Sequence, residues 1–290
     1  MEVKNILITG ATGNIGLEVI RFLFENGTSS RIIAGVRNIE KAKKVFKNYP
    51  KLEFVHFDFE NFDTFDNALS GIDSVFLLRP PHLSDIDKYF KPLIAKIKEN
   101  KVKEVVFLSV QGAEKSKVIP HNKIEKLIIE NALDCIFLRP SYFMQNLTTT
   151  LIKDIKTKSE IILPAGNARF NWIDIANIGE ATAILLDNFG EYKNQAFDIT
   201  GLENENFAKV TSLINEIVES PIRFRNVNPF KFYMIKKKDG MENGMILVMI
   251  LLHFLPRFQK EPVISNFYER LTEKKPTDLK TFIKRERAQF

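Results

Sequence analysis

Residues Ile6-Leu7-Ile8-Thr9-Gly10-Ala11-Thr12-Gly13-Asn14-Ile15-Gly16 constrain the fold of this chain more than any other stretch. An apolar strand is predicted over Val3 to Ile8, then a turn with three glycines spaced three apart, then a helical pattern through Leu17, Ile20, Phe22 and Leu23. Glycine lets such a turn take positive φ and lets an anion approach the main chain, while the helix N-terminus offers unpaired N–H groups and the positive end of its dipole. A pyrophosphate fits that geometry. The strand, turn and helix are also the context in which a Gly-rich motif signals dinucleotide binding. Gly10, Thr12, Gly13, Asn14, Ile15 and Gly16 are therefore the expected phosphate-holding residues.

Downstream, strand and helix patterns alternate. Arg31 to Val36 reads as a second buried strand, and Arg37 falls at its end, about 20 residues past the last glycine, where dinucleotide folds select their cofactor. An acidic residue there would accept hydrogen bonds from a ribose 2′-hydroxyl. Arg37 can pair instead with a 2′-phosphate, so NADP(H) is favoured over NAD(H), with Lys41 one helical turn further as a second cation. Leu52 to Phe57 makes a third strand, whose end at Asp58-Phe59 is placed to meet the adenine edge. Ile72 to Leu78 makes a fourth, stopped by Arg79-Pro80-Pro81-His82 because proline cannot donate to a sheet ladder. Glu104 to Ser109 and Cys135 to Leu138 supply two more, with helices over Ile86 to Asn100 and Asn122 to Asn131.

Nearly continuous apolar strands separated by helices specify an α/β fold, a doubly wound parallel sheet of Rossmann type. Ligands in such sheets lie beyond the carboxyl ends of the strands, so Leu78, Arg79, Pro80, Ser109 and Pro140 join Arg37, Asp58 and Phe59 as expected cofactor contacts. Residues 1–150 are assigned to this dinucleotide-binding domain and 151–290 to a smaller C-terminal α+β substrate lobe, with segments such as 171–200 returning to pack on the first domain. Within the lobe, helices are expected over Ala181 to Leu186, over Val210 to Val218 and beyond Gly244, and short strands over Gln195 to Thr200 and Ile222 to Asn226.

With 44% hydrophobic and 27% charged residues, the 290-residue chain can bury a full core, which argues against disorder. Its one cysteine, Cys135, rules out an intramolecular disulfide framework and a multi-cysteine metal site, and lies in an apolar run where a buried inert thiol is expected. No bound metal is expected, the setting is expected to be reducing and cytoplasmic, and no signal peptide is read at the N-terminus. The formal charge of +6 is scattered, and without a nucleic-acid motif it reads as solvated helix faces, so no nucleic-acid partner is expected. Met245 to Leu255, ending at Pro256, is the one run that suggests a membrane. It falls short of the roughly 20 apolar residues a spanning helix needs. A buried helix or a pocket wall is the expectation there, with no membrane partner.

Leu138-Arg139-Pro140-Ser141-Tyr142-Phe143-Met144-Gln145-Asn146, together with the N-terminal Gly-rich turn and the Val36-Arg37-Asn38 strand end, resembles the NmrA-like branch of the atypical short-chain dehydrogenases. Asn171 to Gly179 is similar to that family's aspartate-containing turn into a helix, with Asp174 as its expected cap, and Leu271 to Thr277 followed by Phe282 is similar to its C-terminal segment. The resemblance implies an NAD(P)-binding Rossmann fold and one of two functions. One is reduction of a small quinone- or azo-like acceptor, and the other is redox sensing through a protein partner.

Ordinary short-chain dehydrogenases carry Tyr-x-x-x-Lys, in which the lysine holds the nicotinamide ribose and the tyrosine moves a proton. Here Lys123 stands in the lysine's place and Ile119 in the tyrosine's. Isoleucine cannot titrate, so simple alcohol or ketone chemistry is disfavoured, whereas a conjugated acceptor spreads the incoming charge and takes its proton from solvent. Lys123 is expected at the cofactor, Tyr142 and Phe143 beside the nicotinamide, and Tyr142, His121 and His82 are the candidate replacement donors.

Overall fold

The computed structural model describes residues 3–117, 119–218 and 221–290. Its elements run β1 Asn5–Ile8, α1 Asn14–Glu25, β2 Arg31–Val36, α2 Ile39–Val45, β3 Glu53–His56, α3 Thr64–Leu69, β4 Ser74–Leu78, α4 Ile86–Glu99, β5 Glu104–Leu108, α5 Pro120–Glu130 and β6 Asp134–Pro140. They continue with β7 Tyr142–Phe143, α6 Ile152–Lys158, β8 Glu160–Leu163, β9 Arg169–Ile173, α7 Ile175–Asp187, α8 Phe189–Tyr192, β10 Gln195–Ile199 and β11 Asn204–Asn206. The last are α9 Phe207–Val218, β12 Arg223–Asn226, α10 Pro229–Lys238, α11 Asn243–Phe254, α12 Phe267–Thr272 and α13 Leu279–Arg285.

Two compact units result, one of residues 1–140 and 175–199, the other of residues 141–174 and 200–290. The first holds a seven-stranded sheet in the order β10-β6-β5-β4-β1-β2-β3, parallel throughout. Ile6, Leu7 and Ile8 of β1 are fully buried at its centre, as strands covered on both faces require. The strand order reverses between β1 and β4, and in such sheets the crevice at that reversal binds ligands. The Gly-rich turn leaves β1 at this point.

Helix α7 packs on α1, and a Cβ added at Gly179 would lie 2.5 Å from Glu18 Cβ, so this helix crossing needs glycine. Ala181 to Leu186 is part of the longer α7, and Gln195 to Ile199 is the seventh strand of the large sheet, so the returning segment belongs to the first unit over residues 175–199. Gln195 to Ile199 pairs with Ile136 to Pro140 of β6, a partner that no local pattern announces.

In the second unit β7 and β11 flank β9, β8 pairs with β12, and helices α6 and α9 to α13 complete it. Trp172, Phe207, Phe232 and Phe282 anchor its core. The chain enters this unit at Ser141 rather than near residue 150, because Tyr142 and Phe143 already pair with Trp172 and Ile173. The apolar run Met245 to Leu255 does form a helix, yet it buries only Ile246, Met249 and His253. It is therefore neither a fully buried helix nor long enough to cross a membrane, and no helix among the described residues is.

Candidate functional site

The Gly-rich turn shows three different uses of glycine. Gly10 has φ +62°, the left-handed region that disfavours side chains, and its missing Cβ leaves room for Leu78. At Gly16 a Cβ would come within 2.4 Å of the Gly10 carbonyl oxygen and 2.7 Å of Ala11 Cα, so glycine lets α1 start directly against the turn. Gly13 has ordinary extended angles, φ −82° and ψ 164°, so its bareness matters for what approaches it. It is the N-cap of α1 and carries no side chain to cap the helix, and the first turn holds no acidic residue. The N–H groups of Asn14, Ile15 and Gly16, which no helical carbonyl reaches, are left for an anion. Thr9 locks the turn to the neighbouring strand: its hydroxyl donates to the Phe76 carbonyl at 2.9 Å and accepts from the Leu78 N–H at 3.0 Å.

A cavity of about 300 Å³ opens beside this turn, wholly within the first unit. Gly10, Thr12, Gly13 and Leu78 form one side, Arg37 and the Asp58-Phe59 strand end another, and Pro80 with the following loop the third. Eight residues expected from sequence thus meet in one place. Arg37 is exposed and, among the described residues, no carboxylate lies within salt-bridge distance of it. Its neighbour Asn38 caps α2 by accepting the Lys41 N–H at 2.9 Å, while Lys41 does not line the cavity. Asp58 holds its own turn, Oδ1 accepting the Glu60 N–H at 3.0 Å, and Phe59 packs edge-on to Phe57 at 4.9 Å, giving the cavity a rigid aromatic floor. Gly35, Glu60 and Leu83 also line it and escaped the sequence reading. A glycine in an otherwise apolar strand was the available signal for the first, since a Cβ at Gly35 would press on Phe57 at 3.2 Å.

Arg79 is placed differently from expectation. Its Nη1 donates to the carbonyls of Pro80, Pro81 and Leu83 at 3.1, 3.1 and 2.9 Å, and it is absent from the cavity lining. Prolines bring carbonyls without N–H groups, so this loop needs an outside donor, and Arg79 supplies it. Its Nε reaches toward His121 Nε2 at 3.5 Å. Burial, with the Arg79 charge adding to it, pushes the His121 imidazole down to about 3, so at neutral pH the ring is uncharged and stacks on Phe107. That removes His121 as a ready acid. His82 is exposed on the cavity wall, in the loop that follows Pro80, 3.9 Å from Glu60.

A second polar cluster lies where β5, β6 and α5 meet. Ser109 Oγ donates to Glu125 Oε1 at 2.5 Å, and Arg139 grips the same carboxylate twice, at 2.9 and 2.7 Å, while its Nη1 reaches Glu114 at 3.0 Å. Glu125 is 4% exposed. The hydroxyl of Ser109, an expected cofactor contact, is thus committed to a buried ion pair. Lys123 sits on the same helix, exposed between buried Asn122 and Ile124, and its N–H faces the Ile119 carbonyl at 3.4 Å, which puts Lys123 and Ile119 one helical turn apart. Pro140 closes β6 with its carbonyl accepting the Gln111 N–H at 2.9 Å.

A model of the NmrA-like family matches residues 2–283. The chain belongs to that family. It is 32% identical over 243 residues to the Prestalk A differentiation protein A of Dictyostelium discoideum, covering 83% of this chain and 77% of that one. It is 28% identical over 223 residues to an NAD(P)H azoreductase of Xenophilus azovorans, covering 76% of each. The Citrobacter sp. triphenylmethane reductase, solved as a complex with NADP(H), superposes with a TM-score of 0.85 at 21% identity, over 97% of this chain and 99% of the other. At that identity the superposition speaks for the fold.

The family stretch after β6 enters the second unit, and with it the remaining expected residues. Tyr142 lies among Phe170, Trp172 and Phe207, with ring centroids 4.8 to 6.0 Å away. Its hydroxyl is 3.0 Å from His253 Nε2, and His253 Nδ1 is 2.6 Å from the Met249 carbonyl. A carbonyl only accepts, so Nδ1 carries the proton; burial holds the imidazole near 4, hence neutral, and Nε2 accepts the Tyr142 O–H. Burial also raises the phenol above its usual range. The expected donor role therefore meets a hydroxyl already donated elsewhere. Phe143 pairs with Ile173 in the same small sheet. Asp174, fully buried, receives Gln145 at 2.6 Å and Arg285 at 2.7 Å. Cys135 is buried and its thiol is pushed up to about 11 by burial, then by Asp134 and Glu125, as an inert thiol should be.

Proposed function

We propose that this protein is an NADPH-dependent reductase that passes hydride to a small conjugated acceptor of the quinone or azo type. One observation carries the reading: the uncapped N-terminus of α1 and the unpaired Arg37 border the same cavity, on Gly10, Gly13 and the β2 end. The residues fit the cofactor. Gly13 and the first-turn N–H groups would hold the pyrophosphate, Arg37 the 2′-phosphate, and Phe59 and Pro80 would flank the adenosine, while Lys123, exposed but outside this cavity's lining, would donate to ribose hydroxyls beyond it. The azoreductase relative supports the same chemistry.

When bound, the reduced nicotinamide supplies the hydride. The chain's candidate donors do not supply an acid: Ile119 occupies the tyrosine's place, His121 is neutral, and Tyr142 donates to His253. An acceptor that delocalises the added electron pair and is protonated by water suits such a site. A non-catalytic dinucleotide sensor acting through a protein partner is the second reading, and Ile119 in the tyrosine's place is as compatible with it as with a reductase. Following NADPH absorbance with a panel of quinones and azo dyes separates the two. Saturable, acceptor-dependent oxidation is expected; tight NADPH binding with no oxidation across the panel would leave the sensor.

Arg37→Glu tests the cofactor choice. Each charge-assisted hydrogen bond to the 2′-phosphate is worth about 1.5–3 kcal/mol, so the NADPH Kd is expected to rise about 10- to 100-fold while that for NADH changes little. Equal losses for both cofactors in fluorescence titrations would remove the 2′-phosphate assignment.

A further inference from the structure

The outer face of α11 has an unusual composition for a surface. Between Asn243 and Leu255 there is no lysine, arginine, aspartate or glutamate. Ile246, Met249 and His253 turn inward, whereas Leu247, Val248, Leu251 and Leu252 are 46–56% exposed, and Leu255 and Phe258 continue the face past the helix end. Phe230 and Met234 of the neighbouring α10 are exposed as well. A soluble domain rarely leaves this much contiguous apolar surface without a use for it.

Charge at the ends of the helix indicates what covers the face. Lys237 reaches Asn243 at the start of α11 at 2.8 Å, and Arg257 lies over the Phe254 ring at 5.2 Å beyond its end. Lys231, Lys238 and Lys260 are exposed in the flanking segments. Among the described residues none of these five cations has a carboxylate within salt-bridge distance, while Asp239 is paired with Lys158 at 2.6 Å and Glu261 with Arg169 at 3.3 Å. Glu242, exposed at the α11 N-cap, is the acidic exception. The face is thus aliphatic in the middle and cationic at both ends.

We infer that this face docks the protein on an anionic lipid surface, α11 lying in the interface with Leu247, Val248, Leu251 and Leu252 among the acyl chains and the Lys237 and Arg257 ends against the headgroups. The helix has 12 residues, too few to span but enough to lie flat. A second copy of the chain suits the face less well. In a twofold pairing of antiparallel α11 helices the Lys237 end of one meets the Arg257 end of the other, and in a parallel pairing like ends meet, so cation faces cation either way.

Vesicle co-sedimentation tests this with phosphatidylcholine alone and with phosphatidylcholine containing phosphatidylglycerol. The full chain is expected to bind the anionic vesicles, more weakly as salt is added, and the Leu247→Glu/Leu251→Glu variant to bind about tenfold or more weakly. Both positions are exposed, so the variant should keep its fold, which unchanged NADPH binding or an unchanged circular dichroism melt verifies. Absence of vesicle binding by the parent overturns the proposal, as does binding that survives the double substitution. A parent that is dimeric by light scattering, made monomeric by the same substitutions and indifferent to vesicles, would reassign the face to self-association.

Discussion

Glu125→Ala is expected to destabilise the protein by about 3–5 kcal/mol, a large share of the stability of an ordinary domain. The carboxylate is 4% exposed and is shared by Arg139, through two hydrogen bonds, and Ser109. Truncation leaves the Arg139 side chain, only 14% exposed, with Glu114 as its remaining carboxylate, itself 40% exposed. The guanidinium then keeps only the solvent-exposed Glu114 as a partner where water reaches poorly, and the Ser109 hydroxyl loses its acceptor. The effect comes from the orphaned partner more than from the pair itself, because burying two charges costs nearly what their attraction returns. Glu125→Leu combined with Arg139→Met should accordingly recover most of the loss. Urea denaturation of both single variants and the double supplies the cycle. A double variant as unstable as the sum of the singles would show that the two residues do not act as a pair.

That cluster also shows where the sequence stops informing. Arg139 is visible inside the family stretch, and Ser109 at a strand end, but Glu125 is one of many helix carboxylates until α5 is laid against β5 and β6. The parallel strands were legible to within a few residues, because burial on both faces makes them continuous apolar runs between breakers. Gln195 to Ile199 is legible as a strand but its pairing with β6 is not, since alternation says that one face is buried and says nothing of the neighbouring strand. Arg79 follows a strand, the usual place of a ligand contact; the two prolines after it are the better signal, each contributing a carbonyl with no N–H to answer it. Tyr142 was likewise chosen by chain position, while its environment of aromatic rings and neutral His253 depends on β9, α9 and α11. The cavity around Gly10, Arg37 and Asp58 was legible because the parallel fold itself brings the ends of β1, β2 and β3 to one rim.

Gly13→Val tests that rim most directly, and dinucleotide binding is expected to fall by about 100-fold or more, the effect of placing a branched side chain where backbone must meet phosphate. The geometry separates this effect from misfolding. Gly13 has φ −82°, which valine tolerates, and an added Cβ would lie 3.2 Å from the Gly10 carbonyl oxygen, a tight contact that the exposed turn can relieve. Gly16 differs, since its Cβ would strike backbone at 2.4 Å and the turn itself would have to move. Gly13→Val should therefore lose NADPH and NADH together while its thermal midpoint changes little, in contrast to Arg37→Glu, which should separate the two cofactors. Calorimetric titration with each dinucleotide, beside a melting curve, measures both properties. Unchanged binding in a folded Gly13→Val protein would mean that the phosphate lies elsewhere and that the turn serves only to bring α1 against β1.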